Sequence, residues 1–333
     1  MQVSVFPTPL RYVWLLLGLL MGLAACQAQP EVAEGQAEAA HPPTGHFAGS
    51  LTAAGQPELR VALEVRHPRP GHYDAELLVA TEPSLSFVAD TLAFSATTLR
   101  LSRPGRPGET LTLQQQGNFW RGTLAVDSAT YTTLLVRRGP PEPAVYRVRR
   151  DEVAGPSGEA LLFSPADESL AGAALAIFPT LPTAANAPGW ADALARNGYT
   201  VLLLPAADTL PAVALTAALT YLRRTPGVDT ARVGTWADGP RAVQLAVLLA
   251  ALEYPRPYPA FVVAQAAPAP GAATRATWRT LGQRTRVLGV YDAHTTQPGA
   301  AASLQIALGG RPRVVRTTGP ALTTSVVDWL HAL

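Results

Sequence analysis

Ala218-Leu-Thr-Tyr-Leu-Arg-Arg-Thr-Pro226-Gly-Val-Asp-Thr-Ala-Arg-Val-Gly-Thr-Trp236-Ala-Asp-Gly-Pro240-Arg is the stretch whose reading decides the fold. It begins as the end of a helical pattern that runs from Leu210 to Arg224. Pro226-Gly227 breaks that helix. An apolar strand follows over Arg232–Trp236, and a new helical pattern runs from Pro240 to Leu252. Helix, short strand and helix in this order are one step of a parallel sheet covered by helices.

The same alternation extends in both directions. Upstream lie the strand Ala174–Phe178, the helix-like Gly189–Asn197 and the strand Tyr199–Leu204. Downstream lie strands at Phe261–Ala264 and Thr285–Tyr291, a helix over Pro298–Leu308, a strand at Pro312–Val315 and a last helix over Ala321–Leu333. Residues 158–333 therefore read as a mostly parallel α/β domain.

Before it, the period changes to two. Leu59–Arg66, Tyr73–Val79, Thr98–Ser102 and Thr110–Gln114 alternate apolar and polar side chains, with turn residues at Pro68–Gly71, Pro104–Gly108 and Gly117-Asn118. Such runs are half-buried strands. Residues 44–138 are expected to form an antiparallel meander of seven or eight strands, a small sandwich or barrel. The aromatics Phe47, Tyr73, Phe87, Phe94, Phe119, Trp120 and Tyr131 are expected in its core and turns. Residues 139–157, rich in Pro, Arg and Gly, read as a linker.

The chain opens with Arg11 before an apolar run, Tyr12–Ala25, that is too short to span a bilayer, for which roughly 20 residues are needed. It ends Leu23-Ala24-Ala25-Cys26, which resembles the bacterial lipobox. Residues 1–25 are read as a secretory signal and Cys26, the one cysteine, as the lipid-attachment site. Residues 26–43, mostly Ala, Glu, Gln and Pro, have too little apolar surface to fold and form a tether. Gln27 after the cysteine favours the outer membrane. The expected localisation is the cell envelope, with a membrane partner through the lipid. A net charge of +2, all of its basic residues arginines, gives no footprint for nucleic acid. No phosphate loop or paired-cysteine motif occurs, and no cofactor or metal is expected.

The segment from Gly158 to Leu333 resembles α/β-hydrolases of the esterase and dienelactone-hydrolase type. Trp190-Ala-Asp-Ala-Leu-Ala-Arg-Asn-Gly198-Tyr-Thr-Val-Leu-Leu and the stretch from Ala218 to Trp236 carry that resemblance. It implies a nucleophilic serine on a sharp strand-to-helix turn, G-x-S-x-G. Here the turn reads Ala237-Asp238-Gly239-Pro240-Arg241, and the serine position falls on Gly239. Glycine adopts the positive φ of that turn without cost. The acid position falls on Thr295, with Asp292 earlier in the loop. The base normally follows the last strand, but residues 313–323 contain no histidine, and His331 lies within the final helix. The oxyanion segment reads Pro179-Thr180 in place of His-Gly. The resemblance thus implies a degenerate site, and a protein that binds a ligand or an envelope partner. The alternative is a diverged hydrolase using Asp238, Asp292 and His294. Asp238 is otherwise expected to cap the helix starting at Pro240. Asp208, Asp238, Asp292 and His294 should all follow strands at one sheet edge; a metal held among them is the weaker reading. His67 and His72 are expected to be solvated, and His41 and His46 to carry no site.

Replacing Cys26 by Ser should release the protein from membranes or leave it unprocessed, as read by fractionation and gel mobility; a variant that fractionates and migrates as wild type contradicts the lipid assignment.

Overall fold

The computed structural model describes residues 41–153, 159–252, 258–293, 299–309, 313–317 and 321–333. The signal, Cys26 and most of the tether lie outside the described residues, as do His294 and Thr295. No helix among the described residues is long and apolar enough to cross a membrane.

The first sheet contains β1 (Gly45–Thr52), β2 (Leu59–Arg69), β3 (His72–Val79), β4 (Phe87–Val88), β5 (Thr91–Ser95), β6 (Thr98–Arg103), β7 (Arg106–Gln116), β8 (Phe119–Val126) and β9 (Ala129–Gly139). Its strand order is β4-β3-β2-β1-β9-β8-β7-β6-β5, antiparallel throughout. The last strand thus pairs with the first. At the remaining seam a single segment changes partner: Ala89 N–H donates to Ala75 O at 2.8 Å, and Asp90 N–H to Ser102 O at 3.3 Å. The sheet is therefore an up-and-down barrel, of the two forms expected. Alternation places Leu63, Val65, Leu77, Leu101, Leu111, Leu113 and Trp120 inside. Phe119 departs from the expected packing and is 46% exposed, because it falls on the outward phase of β8. His67 stacks on Tyr73, and His46, expected to carry nothing, bonds the buried Glu64.

The second sheet contains β10 (Tyr146–Glu152), β11 (Glu159–Pro165), β12 (Gly172–Phe178), β13 (Thr200–Leu203), β14 (Val228–Asp238), β15 (Phe261–Gln265), β16 (Arg286–Asp292) and β17 (Arg313–Thr317). Their order is β10-β11-β13-β12-β14-β15-β16-β17; β11 runs antiparallel to both neighbours and the rest from β13 onward are parallel. Helices α1 (Ala187–Arg196) and α6 (Ala321–His331) cover one face. Helices α2 (Ala212–Arg224), α3 (Gly239–Ala251), α4 (Ala272–Arg284) and α5 (Ala300–Ala307) cover the other. The expected linker over 139–157 needs correction: it carries β10, whose Tyr146-Arg-Val-Arg alternation pairs with β11 from Tyr146↔Pro165 to Glu152↔Glu159. Helix α4 was not anticipated; its buried residues are only Trp278 and Leu281, too few to print a clear period.

From Pro42 to Leu333 the chain is one compact unit. Charged side chains join barrel to sheet. Glu76, 2% exposed, accepts from Arg66 at 2.9 Å and from Arg196 of α1 at 3.1 Å. Arg150 of β10 bonds Asp90 at the barrel seam at 2.8 Å. Buried charges are tolerated when paired in this way. Val88 of the barrel packs into the apolar layer under α1 and α6.

Candidate functional site: a strand-to-helix turn without a nucleophile

Strand β14 is buried from Val233 to Asp238 and delivers the chain into α3 through Gly239. Gly239 has φ +53°, the left-handed region that favours glycine. A Cβ there would meet only Thr180 Cγ2, at 3.8 Å. The position has room for a side chain and carries none.

Asp238 does not cap α3, which corrects the sequence expectation. Its side chain makes no cap bond and lies 3% exposed beneath the loop after β12. Oδ1 accepts the Thr180 N–H at 2.8 Å; Oδ2 accepts the hydroxyls of Thr180 at 2.7 Å and Thr183 at 2.8 Å. Pro240, in the first turn of α3, lacks one of the two N–H groups a capping carboxylate could take, and both Asp238 oxygens are engaged by Thr180 and Thr183.

Arg241, one turn into the helix, is also buried. It donates to Pro179 O at 2.6 Å, and its guanidinium lies 5.7 Å from the Phe178 ring centroid. Burial pulls its pKa below the usual arginine value, opposed by the carboxylates of Asp238 and Asp208. Asp238 and Arg241 thus fasten the Pro179–Thr183 loop from two sides.

Of the other described candidates, Asp208 is close enough to act on Arg241, and Asp292 stands apart. Asp208 lies exposed in the loop before α2. Asp238 is level with Gln265 of β15, Gln265 with Val290 of β16, and Asp292 lies two residues further along. Two strand spacings and a two-residue rise put the Asp238 and Asp292 Cα atoms roughly 12 Å apart. Among the described residues no three His, Cys, Asp or Glu side chains are placed to share a metal ion. His331 stacks on Tyr199 at the far end of α6. Beside the turn, Trp236 Nε1 donates to Gln265 Oε1 at 2.9 Å, and Trp236 stacks on Trp190 with centroids 5.2 Å apart.

Counted within its own sheet, the strand order is 1-2-4-3-5-6-7-8 with the second strand reversed, and the left-handed turn follows the fifth. The second sheet has the α/β-hydrolase fold. That fold builds its oxyanion hole from two N–H groups, one on the residue after the nucleophile and one in the loop after the third strand. Here the first falls on Pro240, which has no N–H. The second falls in the Pro179–Thr180 loop, where the Thr180 N–H is held by Asp238. Sequence reasoning read Pro240 as the start of a helix and not as the loss of a donor, although its place directly after Gly239 is legible in the chain.

No protein-family model matches the chain, and no curated protein matches it. Solved structures are similar to it at low identity. The dienelactone hydrolase from Anabaena variabilis is 16% identical over 56% of this chain and 95% of its own, with a TM-score of 0.43. The esterase domain of a Rhodothermus marinus protein is 16% identical over 56% and 97%, with 0.44. Porphyromonas gingivalis dipeptidyl peptidase 4 is 12% identical over 82% of this chain but 48% of its own length, with 0.42. The fold assignment rests on the strand order and the turn.

Removing the Asp238 carboxylate leaves three donors in a buried loop with only the longer contacts between Thr180 and Thr183, at 3.1 to 3.3 Å, to meet them. Asp238→Ala should cost about 3 kcal/mol, read as a fall in Tm by several degrees, and Thr183→Val should cost less than half as much. Equal Tm values for wild type and Asp238→Ala would show that the carboxylate does not hold the loop.

Proposed function

We propose that this protein is a catalytically silent α/β-hydrolase-fold lipoprotein, anchored through Cys26 at the cell envelope, which binds a ligand or partner and does not turn it over. The observation that carries this reading is the Thr180 N–H bonded to Asp238 Oδ1 at 2.8 Å. Ester, lactone and thioester hydrolysis all pass through an oxyanion, and donors aimed at it are the largest single source of rate in such sites. With Pro240 lacking an N–H and the Thr180 N–H occupied, both donor places are closed. Gly239 supplies no nucleophile, and the chain has no histidine between Val315 and Val326 to serve as base.

The diverged-hydrolase alternative requires Asp238 as nucleophile or acid–base group. A carboxylate accepting three hydrogen bonds while 3% exposed is held away from a substrate. Strand register separates it from Asp292, the second carboxylate of that scheme.

The full-length protein in detergent should hydrolyse chromogenic esters, lactones and thioesters no faster than buffer. Gly239→Ser should leave that rate unchanged even though a side chain fits there. So should Gly239→Ser combined with Pro240→Ala, since one restored donor in a hole whose donors each supply about 10²–10³ still lacks a base. Wild-type turnover that disappears in Asp238→Asn or His294→Ala would contradict the silent reading and establish the diverged enzyme.

A further inference from the structure

A cleft of about 1030 Å³ opens between the barrel and the C-terminal ends of β15, β16 and β17. Gly239, Asp238 and Pro240 do not line it; of the turn's surroundings Thr183, Trp190 and Gln265 reach it. It therefore sits to one side of the lost catalytic position, and about half its wall belongs to the barrel. A cleft of this size is at the upper end of the range for small-molecule sites, roughly 300–1,000 Å³.

Three charged groups of the wall, Arg103, Arg106 and Asp192, have protein partners. Arg103 and Arg106 lie on the barrel side. Both donate to the one carboxylate of the buried Glu109, each at 2.7 Å, and each also bonds a backbone carbonyl, of Ser84 and Ala185 respectively. Asp192, on α1, accepts from Arg196 at 3.1 Å and from the Tyr146 hydroxyl. The two guanidinium groups share one carboxylate and keep one net positive charge between them, but Asp127 and Asp292 in the same wall outweigh it, so an anionic ligand is disfavoured.

What the wall presents to a ligand is short-range and largely neutral. Ser128 and Thr317 supply hydroxyls, and Asn186 and Gln265 supply amides. The Gln265 amide is oriented by its Oε1, which is taken by Trp236, so its NH₂ end is the donor left to face the cleft. Asn186 makes no side-chain cap bond to α1. Two half-buried rings, Tyr131 from the barrel and Trp190 from α1, add flat apolar faces, and Trp190 is held in place by its stack on Trp236. Rings beside hydroxyls, amides and carboxylate acceptors match a molecule with C–H faces and vicinal hydroxyl groups.

We propose that this barrel–sheet cleft binds a neutral polyhydroxylated molecule of oligosaccharide size, recognised by Tyr131 and Trp190 on its faces and by Asn186, Gln265 and the carboxylates on its hydroxyls. This rests on the ligand-binding reading above and gives that ligand a chemical class. The test is calorimetric titration of the full-length protein in detergent with maltotriose, cellotriose, chitotriose and xylotriose, and in parallel with inorganic phosphate and choline. At least one trisaccharide should bind saturably. Asn186→Ala on the α/β side and Tyr131→Leu on the barrel side should each weaken it about tenfold, with wild-type circular dichroism and no change in Tm for Asn186→Ala. Saturable binding of phosphate or choline with none of the sugars overturns the chemical class and leaves the binding reading standing. Sugar binding unchanged in both variants overturns the location. No binding by any of the six probes overturns the class and removes support from the binding reading together.

Discussion

The Asp238 carboxylate, buried under the loop after β12, is the constraint on which the rest of this site depends. A buried carboxylate is tolerated only when its lone pairs are met. Here they are met by the backbone and hydroxyl of Thr180 and by the hydroxyl of Thr183, 58 and 55 positions earlier in the chain. One interaction thus joins β14, the turn at Gly239 and the start of the segment leading into α1. It also uses the backbone donor that the fold otherwise reserves for a developing oxyanion. In this chain that N–H is engaged by the Asp238 carboxylate.

The neighbouring residues agree with that assignment. Pro240 suits the first turn of a helix and has no N–H to offer. Arg241 stands where the fold's turn motif has a small residue; it fills the space with a guanidinium bonded to Pro179 O and lying near the Phe178 ring. Gly239 keeps the left-handed geometry that a serine would have to be strained to adopt. These features convert a turn built to expose a nucleophile into one built to pin a loop. A cleft of about 1030 Å³ lies between barrel and sheet, where Glu76 binds both Arg66 and Arg196 and so ties the two walls together.

The switch from period two to alternating strands and helices made the barrel and the parallel sheet legible, because burial on one face or on both writes itself directly into hydrophobic spacing. The strained turn was legible as well, since Gly239 follows an apolar strand and precedes Pro240. Two features were hidden for different reasons. The strand at Tyr146–Glu152 lies in a Pro- and Arg-rich segment whose composition reads as linker, yet an edge strand needs only one buried face, and Tyr146 and Val148 supply it. The partner of Asp238 was hidden because capping rules are local, whereas Thr180 is brought to it by the adjacency of β12 and β14, in which Phe178 is level with Ala237. The cleft could not be read from the chain at all, since its walls come from many segments spread from Ser84 to Thr323.

The account is tested most directly by the amide exchange rate of Thr180 in the intact protein, followed by NMR. If Asp238 holds that N–H, with the Thr183 hydroxyl as a longer second acceptor at 3.1 Å, Thr180 should exchange as slowly as the amides of the buried strands beside it, and should become markedly faster in Asp238→Ala but change little in Thr183→Val, while the strand amides stay protected. Rapid exchange of Thr180 in the wild-type protein, at the rate of an exposed loop amide, would mean that the donor is free and would contradict the account.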